Sequence, residues 1–243
     1  MRQLRSYYAK QFFLVLQNRK VISLAAIDST GFESRHVSQY FLQRKQGNEL
    51  IFARFHPKLV VICDCQSHAI VSFLATRGPK PDNPMLKPML DRCVDVSLEK
   101  LLADAGFDGE HNHHYARRTK GVRSFIPATI GRPSKNPLKG RFRRMMQRLF
   151  EDKKRIKYGQ RWQVETVFSM IKRRLTTATR ARKRWQRSRE LALLVLTYNL
   201  ALRLLQEGFY RAGRSPVSLW RAGEIGKRPR FYLDARFRSS RAV

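Results

Sequence analysis

The sequence predicts a mixed α/β domain in which helices cover the faces of one sheet. Three observations lead there. Short apolar runs of strand length recur between residues 21 and 128. Stretches with apolar residues at helical spacing lie between and after them. Glycine and proline gather at the junctions, where the chain must turn.

Val21 to Ile27 is the first predicted strand and leads into Asp28. Lys58 to Asp64 contains Leu59-Val60-Val61-Ile62, an apolar, β-branched run with no helical period, and so a second strand. Gln66-Ser67-His68 reads as a turn and Ala69 to Ala75 as the return strand of a hairpin. Gly78 to Pro84 is a proline-dense loop. Met85, Met89, Leu90 and Cys93 recur at helical spacing, so Met85 to Val96 is expected to be helical despite Pro88. Leu98 to Ala103 is a short strand before Asp104, and Gly106 lets the chain turn sharply beside a polar position. Glu110 to Arg118 is a short helix, Val122 to Ala128 a last strand, and residues 129–140 a loop. Two long helices are expected, over about 142–176 and 188–207. The expected organisation is a basic, weakly helical segment at 1–20, one domain over 21–207, and a basic tail at 208–243.

The charge balance limits the partners. Fifty Lys and Arg face 18 Asp and Glu, a formal net charge of +32. Such an excess calls for a polyanion, and nucleic acid fits better than a membrane surface. The longest apolar stretch, Leu191 to Leu196, is far short of the roughly 18 residues of a membrane span. Half the cations, 25, fall between Arg117 and Arg189, opposed only by Glu151, Asp152 and Glu165. That excess is too large for an ordinary solvated face. Cys63, Cys65 and Cys93 make no disulfide framework and point to a reducing cytosol; Cys63 and Cys65 read as small strand residues. His111, His113 and His114 are spaced poorly for one helix face, which favours a polar helix start or a DNA-facing patch over metal ligation. Trp162 and Trp185 read as core residues more readily than as stacking platforms.

In so basic a chain each acid is informative. Asp28 and Asp104 both end apolar runs, and Glu165 sits in a strongly helical stretch. Tyr158, Arg161, Glu165 and Lys172 would share one helix face, beside Val164, Val167, Phe168 and Ile171 at core spacing. Read alone, Arg161 and Glu165 could be an ordinary i,i+4 pair. Two aspartates at strand ends and a helical glutamate could instead hold a pair of divalent metals for phosphoryl transfer.

Together these residues form a recognisable pattern. Tyr158-x2-Arg161-x3-Glu165-x6-Lys172 resembles the signature around the last acid of bacterial insertion-sequence DDE transposases. Ile27-Asp28-Ser29-Thr30 and Ala103-Asp104-Ala105-Gly106-Phe107-Asp108 resemble the family's first and second acidic motifs, and Val195, Tyr198, Asn199 and Leu200 its last core helix. The resemblance implies an RNase H-like mixed sheet with flanking helices. It implies Asp28, Asp104 and Glu165 as catalytic metal ligands for two Mg²⁺ ions, with Mn²⁺ able to substitute. Asp108 is the rival for the second acid; Asp64 has turn chemistry to explain it, and Asp91 and Asp95 a helix surface. Tyr158, Arg161, Lys172, Arg173 and Arg174 are implied as DNA contacts. The implied activity is metal-dependent strand cleavage and strand transfer at the ends of an insertion element. The implied partners are double-stranded DNA and a second copy in a synaptic complex, in the cytoplasm at the nucleoid. The alternative is a catalytically silent remnant acting as a DNA-binding protein or repressor. Family members carry a longer helical region ahead of the first aspartate, which is expected to be short or missing here.

Overall fold

A computed structural model describes residues 21–34, 56–93, 96–128, 139–152 and 156–211. The segments at 1–20 and 212–243 and most of the 129–140 loop lie outside the described residues. The chain divides between Leu200 and Ala201, and the site lies in the first unit.

Five strands form the central sheet: β1 (Ala25–Gly31), β2 (Pro57–Asp64), β3 (Ile70–Arg77), β4 (Lys100–Leu102) and β5 (Arg123–Phe125). Their order is β3-β2-β1-β4-β5. β2 runs antiparallel to both β1 and β3, while β4 runs parallel to β1 and β5 parallel to β4. This is the mixed α/β sheet of an RNase H-like domain, with strands in the expected order. The run Leu59 to Ile62 is wholly buried because β2 lies inside the sheet with helices on both faces.

The β2–β3 turn is built by Asp64, whose carboxylate accepts from the amides of Gln66 and Ser67 and from the Ser67 hydroxyl at 2.6 Å. β3 is an edge strand, and one side chain covers part of its exposed backbone. The Asn199 amide accepts from the Ile70 N–H and donates to the Ile70 carbonyl, both at 3.0 Å.

Among the described residues there are five α-helices: α1 (Leu86–Asp91), α2 (Glu110–His114), α3 (Arg141–Leu149), α4 (Trp162–Arg174) and α5 (Arg184–Arg211). α1 packs on the face shared by Ile27, Ile62 and Ser72, where the Ser72 hydroxyl donates to the Met89 carbonyl. α4 packs on the opposite face, which carries Asp28 and Thr30, and buries Val164, Val167, Phe168 and Ile171. Pro88 is tolerated because it falls in the first turn of α1, where the amide has no intrahelical partner.

The long helix expected over 142–176 is two helices. α3 ends at Leu149 and α4 begins at Trp162. Before α4 the chain reverses through Lys157, at φ 54°, into a 3-10 turn, Tyr158–Arg161. The left-handed residue breaks the helical ladder, so Tyr158 and Arg161 precede α4 instead of lying on its face. α2 also differs from its forecast. It continues as a π-turn, Tyr115–Thr119, and His113 is fully buried. The His113 Nδ1 pairs with the Ser124 hydroxyl at 2.8 Å, and burial pulls the ring down to about 4. It is a packed core residue, not a DNA-facing one. Cys63 and Cys65 are buried, as expected. Trp162 and Trp185 are not in the core: they are 45% and 52% exposed.

α3 is docked by two acids from the segment before it. The Glu110 carboxylate accepts from the Phe142 and Arg143 amides at 3.0 and 3.1 Å, closing the start of the helix. Gly140 permits the approach: it sits at φ 102°, and a Cβ there would strike Glu110. Asp108, its side chain 2% exposed, pairs with Arg143 at 2.7 Å. Among the described residues, no helix is long and apolar enough to cross a membrane.

Candidate active site

Sheet register brings the first two acids together. Ala25 pairs with Leu101 and Ala26 with Leu102 on parallel neighbours. Both aspartates follow just beyond these pairs, near enough that the Asp104 charge acts on the Asp28 carboxyl. Asp104 turns the chain as well. Its Oδ1 accepts from the Gly106 amide at 3.0 Å, capping the 3-10 turn Ala105–Phe107. A Cβ at Gly106 would meet that oxygen at 3.1 Å, so glycine keeps the carboxylate clear.

The third acid arrives from α4. The Arg161 guanidinium donates to Asp28 Oδ2 at 3.3 Å through Nη1 and to Glu165 Oε1 at 2.5 Å through Nη2. One guanidinium therefore bridges a sheet carboxylate and a helix carboxylate. Asp28 is mostly covered, its side chain 18% exposed, whereas Glu165 is 55% exposed. Among the described residues no three acid, histidine or cysteine side chains stand close enough to hold one metal ion.

The remaining signature residues surround these acids. Tyr158 donates its hydroxyl to the Ala103 carbonyl at 3.1 Å, one residue before Asp104. Lys172 donates to Thr30 Oγ1 at 2.7 Å and lies over the Phe32 ring. It thus stands along β1, two residues beyond Asp28. Arg173 and Arg174 are exposed in the last turn of α4.

The electrostatics match this crowding. Burial pushes the Asp28 carboxyl up to about 6. The Ser29 amide and Arg161 oppose the shift, while the charges of Asp104 and Asp82 reinforce it. Burial also pushes the Tyr158 phenol up to about 12, with Arg161 opposing and Asp104 and Asp28 adding to it. Burial works against the charged form of Arg161, but its bond to Glu165 wins and raises the group further. An acid whose charged form burial and two like charges disfavour is a poor solvated surface group.

Over residues 19–200 the chain matches the family model described as the transposase DDE domain. The chain belongs to that family. No curated protein matches it.

Within this DDE domain, the rival acids are accounted for elsewhere. Asp108 is committed to Arg143, Asp64 to its turn, and Asp91 to Lys120 and Tyr115 near the surface. Asp95 lies outside the described residues. One acid was missed in the sequence: Asp82 accepts from the Ser29 hydroxyl at 3.0 Å, directly beside Asp28. Its signal was present, since any acid in so basic a chain needs a reason, but a proline-rich loop gave none.

Proposed function

We propose that Asp28, Asp104 and Glu165 are the catalytic carboxylates of a transposase that cuts DNA at the ends of an insertion element and joins the freed end to target DNA. The observation that carries this is the placement of Asp28 and Asp104 where two paired parallel strands run out, with Asp28 joined to Glu165 through Arg161, in a chain of the transposase DDE domain family. The three carboxylates are hard oxygen donors and fit Mg²⁺, or Mn²⁺ in its place. When bound, two such ions supply charge stabilisation at the attacking and leaving oxygens. Asp104 and Asp82 make the charged form of Asp28 costly, a cost that a bound cation would offset. Arg161 holds Glu165 in range of Asp28 until the carboxylate turns inward. Tyr158 fixes the backbone just before Asp104. Lys172, Arg173 and Arg174 hold the DNA phosphates along β1 and the end of α4. Cleavage places a water oxygen on phosphorus and releases a 3′-hydroxyl. That hydroxyl then attacks a target phosphodiester and expels another 3′-oxygen, so the bond count is conserved.

The partners in this reading are double-stranded DNA, at element ends and target, and a second copy in a synaptic complex. The place is the cytoplasmic nucleoid. Residues 21–207 form the catalytic domain, and the segments 1–20 and 208–243 add basic charge. The test is nicking of an end-containing duplex. Wild type should nick only with Mg²⁺ or Mn²⁺. Asp104→Ala and Glu165→Ala should each lose about 10³-fold or more, because a lost ligand removes several kcal/mol of transition-state stabilisation. DNA binding should persist in both. Binding without any metal-dependent nicking in wild type would favour the silent remnant.

Affinity for duplex DNA is expected to fall steeply with salt. Five or more phosphate contacts give a log–log slope of about −4.5 or steeper. Phosphate contacts carry no sequence information, so end DNA should gain little over scrambled DNA. Titrations at several salt concentrations check this; a preference of about 100-fold for the end sequence would mean that the chain reads bases.

A further inference from the structure

The structure assigns Asp82 and Asn83 as positioning residues: a two-residue bracket that ties the strand end carrying Asp28 to the turn carrying Asp104. The inference rests on the catalytic reading above. On one side, Asp82 accepts from the Ser29 hydroxyl at 3.0 Å, and the Ser29 amide donates to Asp28 Oδ1 at 2.7 Å. One serine therefore passes the position of Asp82 directly to the Asp28 carboxylate. Asp82 is itself anchored from the neighbouring strand. Lys58 pairs with it at 2.7 Å and donates to the Lys80 carbonyl at 2.9 Å, fixing the loop at two points.

On the other side, the Asn83 amide donates to the Asp108 carbonyl, at the end of the turn that Asp104 caps. Asn112, buried, closes the connection. Its amide donates to the carbonyls of Asn83 and Phe107, each at 2.9 Å. β1 and β4 pair at only two positions, Ala25–Leu101 and Ala26–Leu102, before the two aspartates. Beyond them the ladder itself no longer fixes the spacing of the two strand ends. The loop at Asp82–Asn83 spans that gap with hydrogen bonds to both. Two like-charged carboxylates would otherwise tend to move apart by Coulomb repulsion. A bracket that resists this sets the ligand spacing before any cation arrives. Outer partners of this kind typically govern metal affinity by 10–100-fold.

The test uses the full chain and two readouts. The first is Mn²⁺ binding without DNA, followed by loss of the free-ion electron paramagnetic resonance signal. Wild type should bind through Asp28, and Asp28→Ala should not. Asn83→Ala, Asp82→Ala and the milder Ser29→Ala should bind about 10–100-fold more weakly while melting as wild type does. The second is hydrogen exchange in peptides covering residues 104–109. The Phe107 and Asp108 amides donate to Asp104 and Ala105 carbonyls within the turn, and they should exchange faster in Asn83→Ala. Unchanged exchange overturns the bracket. Faster exchange with unchanged Mn²⁺ affinity overturns it too, because the contact would then be structural only. If wild type binds no Mn²⁺ through Asp28, the catalytic reading falls, and the exchange alone decides the bracket. Ser29→Ala leaves the Asp82–Lys58 anchor in place, so a misfolded Asp82→Ala protein does not remove the test.

Discussion

Asp28→Asn is expected to abolish cleavage and at the same time make the fold more stable at neutral pH. Burial holds the Asp28 carboxyl at about 6 in the native state, against 3.8 as an ordinary reference. Between those values the folded chain binds more protons than the unfolded one. Stability therefore falls as pH rises from about 4 to 6, and above 6 the full penalty of a charged, covered carboxylate is present. Asparagine keeps the shape and never ionises. At pH 7 the variant should gain on the order of 2 kcal/mol, and the gain should fade toward zero near pH 4. Denaturant unfolding of both proteins at the two pH values measures it. Buried His113 slopes the other way, because its ring is held at about 4 and protonation favours the unfolded chain. The comparison of variant with wild type removes that common term. A loss of stability at pH 7 would mean that the Arg161 contact at 3.3 Å outweighs burial. Gain in stability with loss of activity is the expected mark of a site whose charge is set for a cation and not for the fold.

The succession of strands and the positions of Asp28 in β1 and Asp104 shortly after β4 were legible in the sequence because both depend on local signals. Leu59 to Ile62 is apolar and β-branched with no helical period, and a strand buried on both faces leaves that record. Asp28 and Asp104 stand where apolar runs meet polar chain, which is where strand ends offer a site. What was not legible depends on tertiary contact. Lys157 adopts the left-handed conformation that ends one helix before the next, and a lysine gives no warning of that. Trp162 and Trp185 lie on helix faces whose partners were unknown, so their exposure could not be read. Asp82 is spoken for by Ser29, distant in sequence, and by Lys58 from the adjacent strand. Its place beside Asp28 exists only once β1 and β2 have paired.

Arg143→Ala is expected to cost more stability than any surface change in this chain, about 3–5 kcal/mol. The reason is the partner left behind. Asp108 is 2% exposed, and Arg143 holds it with two nitrogens, Nε at 2.9 Å and Nη2 at 2.7 Å from the same oxygen. Removing the guanidinium takes the Arg143 charge away from a covered carboxylate, and weakening the pairing of a covered charge costs more than losing an exposed contact. Asp108→Asn should cost less, because the amide is neutral and its carbonyl still accepts from Arg143. Adding Asp108→Asn to Arg143→Ala should therefore recover part of the loss, which urea unfolding of the two singles and the double would show. Equal costs for both singles, with no recovery, would mean that the pair acts through packing alone. The effect should reach the site as well. Asp108 ends the turn that Asp104 caps, and Arg143 is the first-turn residue of α3 whose amide Glu110 also holds. The substitution removes the Asp108 anchor and leaves α3 held by Glu110 alone of the two. Nicking by Arg143→Ala should accordingly fall even at temperatures where most of the protein is still folded, and the fall should be smaller in the double variant.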